Sequence, residues 1–285
     1  MSAKDNFFYT NYSMNCGGRL ISFDKALVMG IINLTPDSFY DKSRLVSERE
    51  ALKQAEKMLA EGAKILDLGA VSTRPGSVEV SEEEELKRLL PALKSIRKTY
   101  PDSIISVDTW RASVAKAAVD NGAHIINDIS GGTMDEKMFE TIAHLKVPYI
   151  LMHIQGTPQT MQQNPNYKDV VNEVIDFLTK RVQVLRLMGV ADIMVDPGFG
   201  FGKTLEHNYT LLQNLEKFSI LNCPILVGIS RKSMITKVLN ITTNEALNGT
   251  SVLNTIALMK GAKILRVHDV KEAVEAVKLV DRCLS

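Results

Sequence analysis

Cysteine is scarce in this chain: three residues in 285, Cys16, Cys223 and Cys283, scattered in no metal-ligand spacing and unable all to pair. That excludes a disulfide scaffold and a zinc finger. Charge of one sign is also missing, since 34 basic residues face 33 acidic ones. The longest like-charge run, SEEEE, reads as the first turn of a helix capped by Ser81. No surface for nucleic acid or for a membrane is expected from such a balance. No apolar run approaches the roughly 18 residues of a membrane span. The opening MSAKDNFFYTNYS lacks an apolar stretch behind a basic start, so no secretory leader is expected. These absences point to a soluble protein of a reducing cytoplasm.

What is present is a repeated phrase: a short apolar, β-branched run, a polar turn, then an amphipathic helix. The runs are LVMGIINL, KILDLGA, SIISVDT, HIINDIS, PYILMHI, DIMVDPGF, PILVGIS and KILRVHD. Segments such as EREALKQAEKMLAEGAK carry the helical period between them. Gly62, Gly122, Gly189 and Gly261 each stand just before a strand, where a helix C-cap is expected. Near-continuous apolar strands alternating with helices imply a parallel sheet covered on its outer face. Eight such units without a glycine-rich first turn favour a TIM (β/α)8 barrel over a doubly wound open sheet. Residues 1–26 are expected to form an extension whose GGRLISF supplies a strand or hairpin plugging the barrel bottom. Residues 27–285 form the barrel, with no boundary for a second domain.

The stretch DPGFGFGKT resembles two phosphate-binding patterns and fits neither. G-x-x-x-x-G-K-[ST] needs a glycine where Pro197 stands, and G-x-G-x-x-G fails on spacing. It is instead the loop after the sixth strand, and Lys203 there either meets an anion or is solvated.

Active sites of α/β barrels lie at the C-terminal ends of the strands. Those ends carry Asn33, Asp67, Asp108, Asn127 with Asp128, His153, Asp196, Ser230-Arg231-Lys232, and Arg266 with His268 and Asp269. Singly, each has a plain explanation as a turn former, a cap or a hydrogen-bonded core residue. Ser230, for one, reads as the cap of the helix that follows it. Together they would repel or desolvate at one mouth unless a polar ligand met them. No Ser-His-Asp or Cys-His order suggests covalent catalysis.

NLTPDSF, DLGAVSTRPGS, SVDT, INDISGG, LMH, DPGFGFGK, GISRKS and LRVHDV follow one another, one at each strand end. This series resembles the dihydropteroate synthase family, the pterin-binding barrels of folate synthesis, from about Leu27 to Val270. The resemblance implies a transferase that condenses (7,8-dihydropterin-6-yl)methyl diphosphate with 4-aminobenzoate. It implies a pterin slot of Asp108, Asn127, Met152, Asp196 and Lys232. It implies a diphosphate site of Asn33, Thr73, Arg266 and His268, with Asn33 as ligand of a magnesium ion, Mg2+. The 4-aminobenzoate pocket would use Pro36, Phe39, Arg74, Pro75, Phe201, Lys232 and Ser233. Asp108, Lys232, Arg266 and His268 would carry catalysis. The loops at about 34–46 and 71–80, which also hold Asp37 and Ser38, would be mobile covers. A homodimer is expected. One departure stands out, Val71 where a glutamate precedes Ser-Thr-Arg-Pro-Gly in the family's motif. The rival readings are a pterin-dependent methyltransferase and a non-catalytic pterin-binding barrel.

Overall fold

Four of the helix-to-strand joints are built alike. Gly62, Gly122, Gly189 and Gly261 all have φ between 85° and 104°, a region that favours glycine. After each, the next N–H reaches back to a carbonyl in the last helical turn, as from Ala63 to Met58 at 2.9 Å and from Ala262 to Ala257 at 3.0 Å. The joint stops the helix and turns the chain into the following strand.

These joints belong to a computed structural model that describes residues 12–34, 44–72 and 80–284. The elements are β1 (Ser13–Cys16), β2 (Arg19–Ser22), β3 (Leu27–Asn33), α1 (Arg44–Glu61), β4 (Ile65–Gly69), α2 (Glu82–Thr99), β5 (Ile104–Asp108) and α3 (Ala112–Asp120). They continue with β6 (Ile125–Asp128), α4 (Met138–Leu145), β7 (Tyr149–Met152), α5 (Val170–Leu187), β8 (Ile193–Asp196) and α6 (Leu205–Gln213). The last are β9 (Leu226–Val227), α7 (Ser233–Leu239), α8 (Leu247–Met259), β10 (Ile264–Val267) and α9 (Val270–Leu284). Helix starts are capped where the sequence supplies an oxygen: Ser81 before α2, Asp169 before α5 and Thr204 before α6.

Eight parallel strands pair in the order β8-β7-β6-β5-β4-β3-β10-β9. The ring closes through a parallel bridge between Val195 and Ile225, where the Val195 N–H donates to Pro224 O at 3.0 Å. The expected TIM barrel is the observed fold.

Strand alternation then sorts the side chains. Outward positions such as Leu66, Leu68, Val107, Ile126, Leu151 and Val195 meet the helices. At the bottom, inward residues from all eight strands gather: Leu27, Ile65, Ile104, Ile125, Ile150, Met194, Leu226 and Ile264. Met14, Cys16 and Phe23, from β1 and the end of the β1–β2 hairpin, complete that cluster and close the barrel bottom. The hairpin turns on Gly17 and Gly18, both at positive φ, as a two-residue turn of matching twist requires. Two residues farther along the strands the inward positions turn polar, at Asp67, Ser106, Asn127, Asp196 and Arg266. The apolar floor thus lies directly beneath a buried polar layer.

Candidate active site

Arg266 is the centre of that layer. Its Nε donates to Asp67 Oδ2 at 2.6 Å and its Nη2 donates to Asp108 Oδ2 at 2.7 Å. Asn127 Nδ2 donates to the same Asp67 oxygen at 3.1 Å. Two strands, β4 and β5, therefore meet a guanidinium carried by β10, and β6 joins them through Asp67. Burial alone would favour a neutral arginine, but the Asp67 and Asp108 charges outweigh it and raise its pKa. Burial pushes the Asp108 carboxyl up to about 7, with the Asp67, Glu85 and Asp128 charges adding and Arg266 opposing.

Asp196 and Lys232 both approach Gly228, where the barrel wall carries no side chain. A methyl group there would sit 3.9 Å from both Asp196 Oδ2 and Lys232 Nζ. Burial raises the Asp196 pKa, against the Lys232 charge and a 2.7 Å hydrogen bond from the Gly198 N–H. Burial lowers Lys232 to about 8, with Asp196 opposing. The Lys232 ammonium lies 4.7 Å from the Phe201 ring centroid, a cation–π distance. Beside these charges stands an apolar wall of Trp110, Ile129, Met152, Ile154 and Met161, against which Val71 and Phe201 pack. Val71, the departure from the family's motif, is thereby absorbed into packing.

The loop after β8 shows what DPGFGFGK does. Gly198, Gly200 and Gly202 all have positive φ, and a Cβ on Gly198 would fall 1.8 Å from His153 O. Lys203 neither meets an anion nor is solvated: it is 3% exposed. Its three ammonium hydrogens match His153 Nδ1 at 2.8 Å and the carbonyls of Gly198 and Phe201 at 3.0 Å each. Burial drives its pKa well down, with the Asp196 charge opposing. His153 is a buried core histidine, pushed to about 2 by burial and by the Lys203 charge, so it does no proton transfer near neutral pH. Replacing Lys203 with Met leaves three buried acceptors unmet. Chemical denaturation is expected to show a loss of about 2 kcal/mol or more.

Several strand-end residues turn out to organise the frame. Asp128 accepts from Tyr149 Oη at 2.6 Å and from the Ser130 and Gly132 N–H groups, shaping its own turn. Ser230 is not a helix cap. The helix begins after Lys232, with no side-chain cap, and Ser230 Oγ instead contacts His268 Nδ1 at 3.0 Å. Arg231 leaves the mouth and grips Asp269 with two 2.8 Å hydrogen bonds. Glu85, which the sequence places in the charged first turn of a helix, is buried and pairs with Arg111 and with Thr109 Oγ1. Of the residues expected at the site, Asp108, Asn127, Met152, Asp196, Lys232, Phe201 and Arg266 come together. Asn33 and Ser233 are exposed, at the end of β3 and the start of α7. Pro36, Asp37, Ser38, Phe39, Thr73, Arg74 and Pro75, and with them most of both expected covers, lie outside the described residues. Asp67 is legible in the sequence as a strand end, but its part in the site is not. Its inward place in the strand alternation is the available signal.

A family profile described as "Pterin binding enzyme" matches residues 29–268. The dihydropteroate synthase of Escherichia coli K12 is 46% identical over 260 residues, 90% of this chain and 92% of that protein. That of Haemophilus influenzae is 46% identical over 254 residues, covering 88% and 92%. Among solved structures, a Yersinia pestis dihydropteroate synthase in a sulfonamide drug complex superposes with a TM-score of 0.88 at 40% identity, covering 96% of this chain and 99% of that one. A Xanthomonas albilineans dihydropteroate synthase with 4-aminobenzoic acid gives 0.89 at 35% identity, covering 97% and 99%. The chain belongs to the dihydropteroate synthase family of pterin-binding enzymes.

Proposed function

We propose that the chain joins (7,8-dihydropterin-6-yl)methyl diphosphate to 4-aminobenzoate, forming 7,8-dihydropteroate and releasing diphosphate. The observation that carries this reading is the slot itself, with buried Asp196 and Asn127 and half-buried Lys232 set beside an apolar wall. A dihydropterin has one hydrogen-bonding edge and two flat apolar faces, and it needs such a slot. Asp196 accepts from the amino-pyrimidine edge. Asn127, with one Nδ2 hydrogen committed to Asp67, presents its carbonyl and its second N–H to the ring. Lys232 donates to a ring carbonyl or nitrogen, and Met152 packs on a face.

Displacement is dissociative in this reading. As the C–O bond to diphosphate breaks, positive charge develops on the pterin methylene, and the fixed carboxylate of Asp108 stabilises it. Arg266 and His268, with Thr73, receive the departing anion. The neutral aromatic amine then donates its lone pair to the methylene carbon and loses a proton. The 4-aminobenzoate pocket of this reading uses Phe201, Lys232 and Ser233, with Pro36, Phe39, Arg74 and Pro75 as further members. Magnesium, when bound, neutralises the diphosphate. Among the described residues no three His, Cys, Asp or Glu side chains gather as a cage. A single amide oxygen from Asn33 fits an ion held mainly by water and substrate phosphate.

The pH dependence tests this assignment. Asp108 must be ionised and Lys232 protonated, so kcat/KM should rise through about pH 7 and fall above about pH 8. Product formation measured across the neutral range reads both limbs. A flat profile, or one unaltered in Asp108→Asn, would contradict the roles of Asp108 and Lys232.

The same reading extends to assembly and setting. Val252, Ile256 and Met259 lie along one face of α8 and are 50%, 38% and 53% exposed, near exposed Val238 and Leu239 of α7. This apolar face supports a homodimer. In this reading residues 1–26, of which 12–26 are described, are the barrel plug and residues 27–285 the catalytic barrel. No helix among the described residues is long and apolar enough to cross a membrane. The three cysteines are free thiols, consistent with a cytoplasmic setting.

A further inference from the structure

Asp67 is fully buried, 0% exposed, and cannot touch a ligand in the mouth. Its Oδ2 takes hydrogen bonds from both Arg266 Nε and Asn127 Nδ2. Its Oδ1 is buried with no protein partner, and so is Oγ of Ser106, its register neighbour on β5. A carboxylate kept in this condition is a costly way to stabilise a fold. Removing two charges from water is repaid only when every lone pair is met. The alternative, that Asp67 is merely one half of a structural ion pair, leaves the unmet oxygen unexplained.

We propose that Asp67 is a positioning residue for this site, fixing the Asn127 amide and the Arg266 guanidinium in the orientations in which they meet substrate. The inference rests on the function proposed above. With Nδ2 tied to Asp67, Asn127 cannot exchange its amide oxygen and nitrogen, so the ring always meets the same acceptor. With Nε tied to Asp67 and Nη2 to Asp108, the Arg266 plane keeps one orientation toward a departing anion. Asp67 also sets the proton affinity of Asp108. The charged groups acting on Asp108 are Arg266 from β10, Asp67 from β4, Glu85 from α2, Asp128 from β6 and Lys232 at the start of α7. Removing the Asp67 charge deletes one group that raises the Asp108 pKa and leaves Arg266 more fully to Asp108. Both changes lower it.

The test is Asp67→Asn in the full chain, which keeps the shape and removes the charge. The expected result is a kcat lowered by about 10- to 100-fold, the range seen when outer partners of site ligands are removed. The acid limb of the pH profile moves to lower pH, and Tm stays unchanged or rises. Carboxylate 13C titration of Asp108 shows the same downward shift without substrate. Activity within about two-fold of the parent, on the scale of that expected loss, overturns the proposal. So does a variant that loses stability or fails to fold, since that marks Asp67 as structural. An unmoved Asp108 titration overturns it as well. If the parent chain itself does not turn over, the functional reading fails, and the Asp108 titration still decides the coupling to Asp67.

Discussion

Arg266→Ala is expected to lower kcat/KM by about three orders of magnitude, the upper range for losing one preorganised charge-stabilising donor. The guanidinium is the meeting point of β4, β5 and β10, and no other described side chain replaces it. Its removal also leaves buried Asp67 and half-buried Asp108 without their cation. Breaking such a pair from one side costs about 3–5 kcal/mol. Protonation relieves part of that cost. Losing Arg266 removes the group that lowers the Asp108 pKa, so the folded carboxyl holds its proton beyond about pH 7. The unfolded carboxyl gives up its proton near 3.8, so the folded state binds more protons between the two values. Stability of the variant therefore falls as pH rises through that window. Urea unfolding on either side of neutrality should find the variant weaker at the higher pH. An equal loss at both would place the ion pair outside the stability of the site.

Asp196→Asn is expected to weaken pterin binding by about 100-fold or more. A carboxylate that accepts from two donors is replaced by an amide that must turn one of its own donors toward them, and charge-assisted hydrogen bonds contribute about 1.5–3 kcal/mol each. The substitution acts on Lys232 as well. Asp196 is the principal charge holding the Lys232 pKa up against burial, so without it the lysine falls below about 8. The basic limb of the pH profile then moves toward neutrality. Calorimetry with a dihydropterin separates the binding loss, and the pH profile reports the lysine. Full pterin affinity in the variant would remove Asp196 from the ring edge.

Much of the barrel can be read from the chain because its strands are buried on both faces and appear as apolar runs. Ile104–Asp108 and Ile125–Asp128 lie inside the segments SIISVDT and HIINDIS, and the four helix-ending glycines show the backbone that their position implies. The gathering of Asp108, Asn127, Asp196, Lys232 and Arg266 is also legible, as a set of strand ends. What those residues do to one another is not. The Arg266 contacts with Asp67 and Asp108 join positions 199 and 158 residues apart, and period-two alternation gives a face without a partner. Ser230 stands where a cap is common, yet the helix starts later and the hydroxyl goes to His268. Lys203 resembles an anion ligand because lysine after glycines suggests one. Its three acceptors come from its own loop and from His153, which no spacing rule anticipates.

Diphosphate release by the purified protein, supplied with the dihydropterin diphosphate and with or without 4-aminobenzoate, tests the central claim most directly. The predicted result is release that depends on the amine, is accompanied by 7,8-dihydropteroate, and is lost in Arg266→Ala and Lys232→Ala. Tight pterin binding with no release under any of these conditions would contradict it.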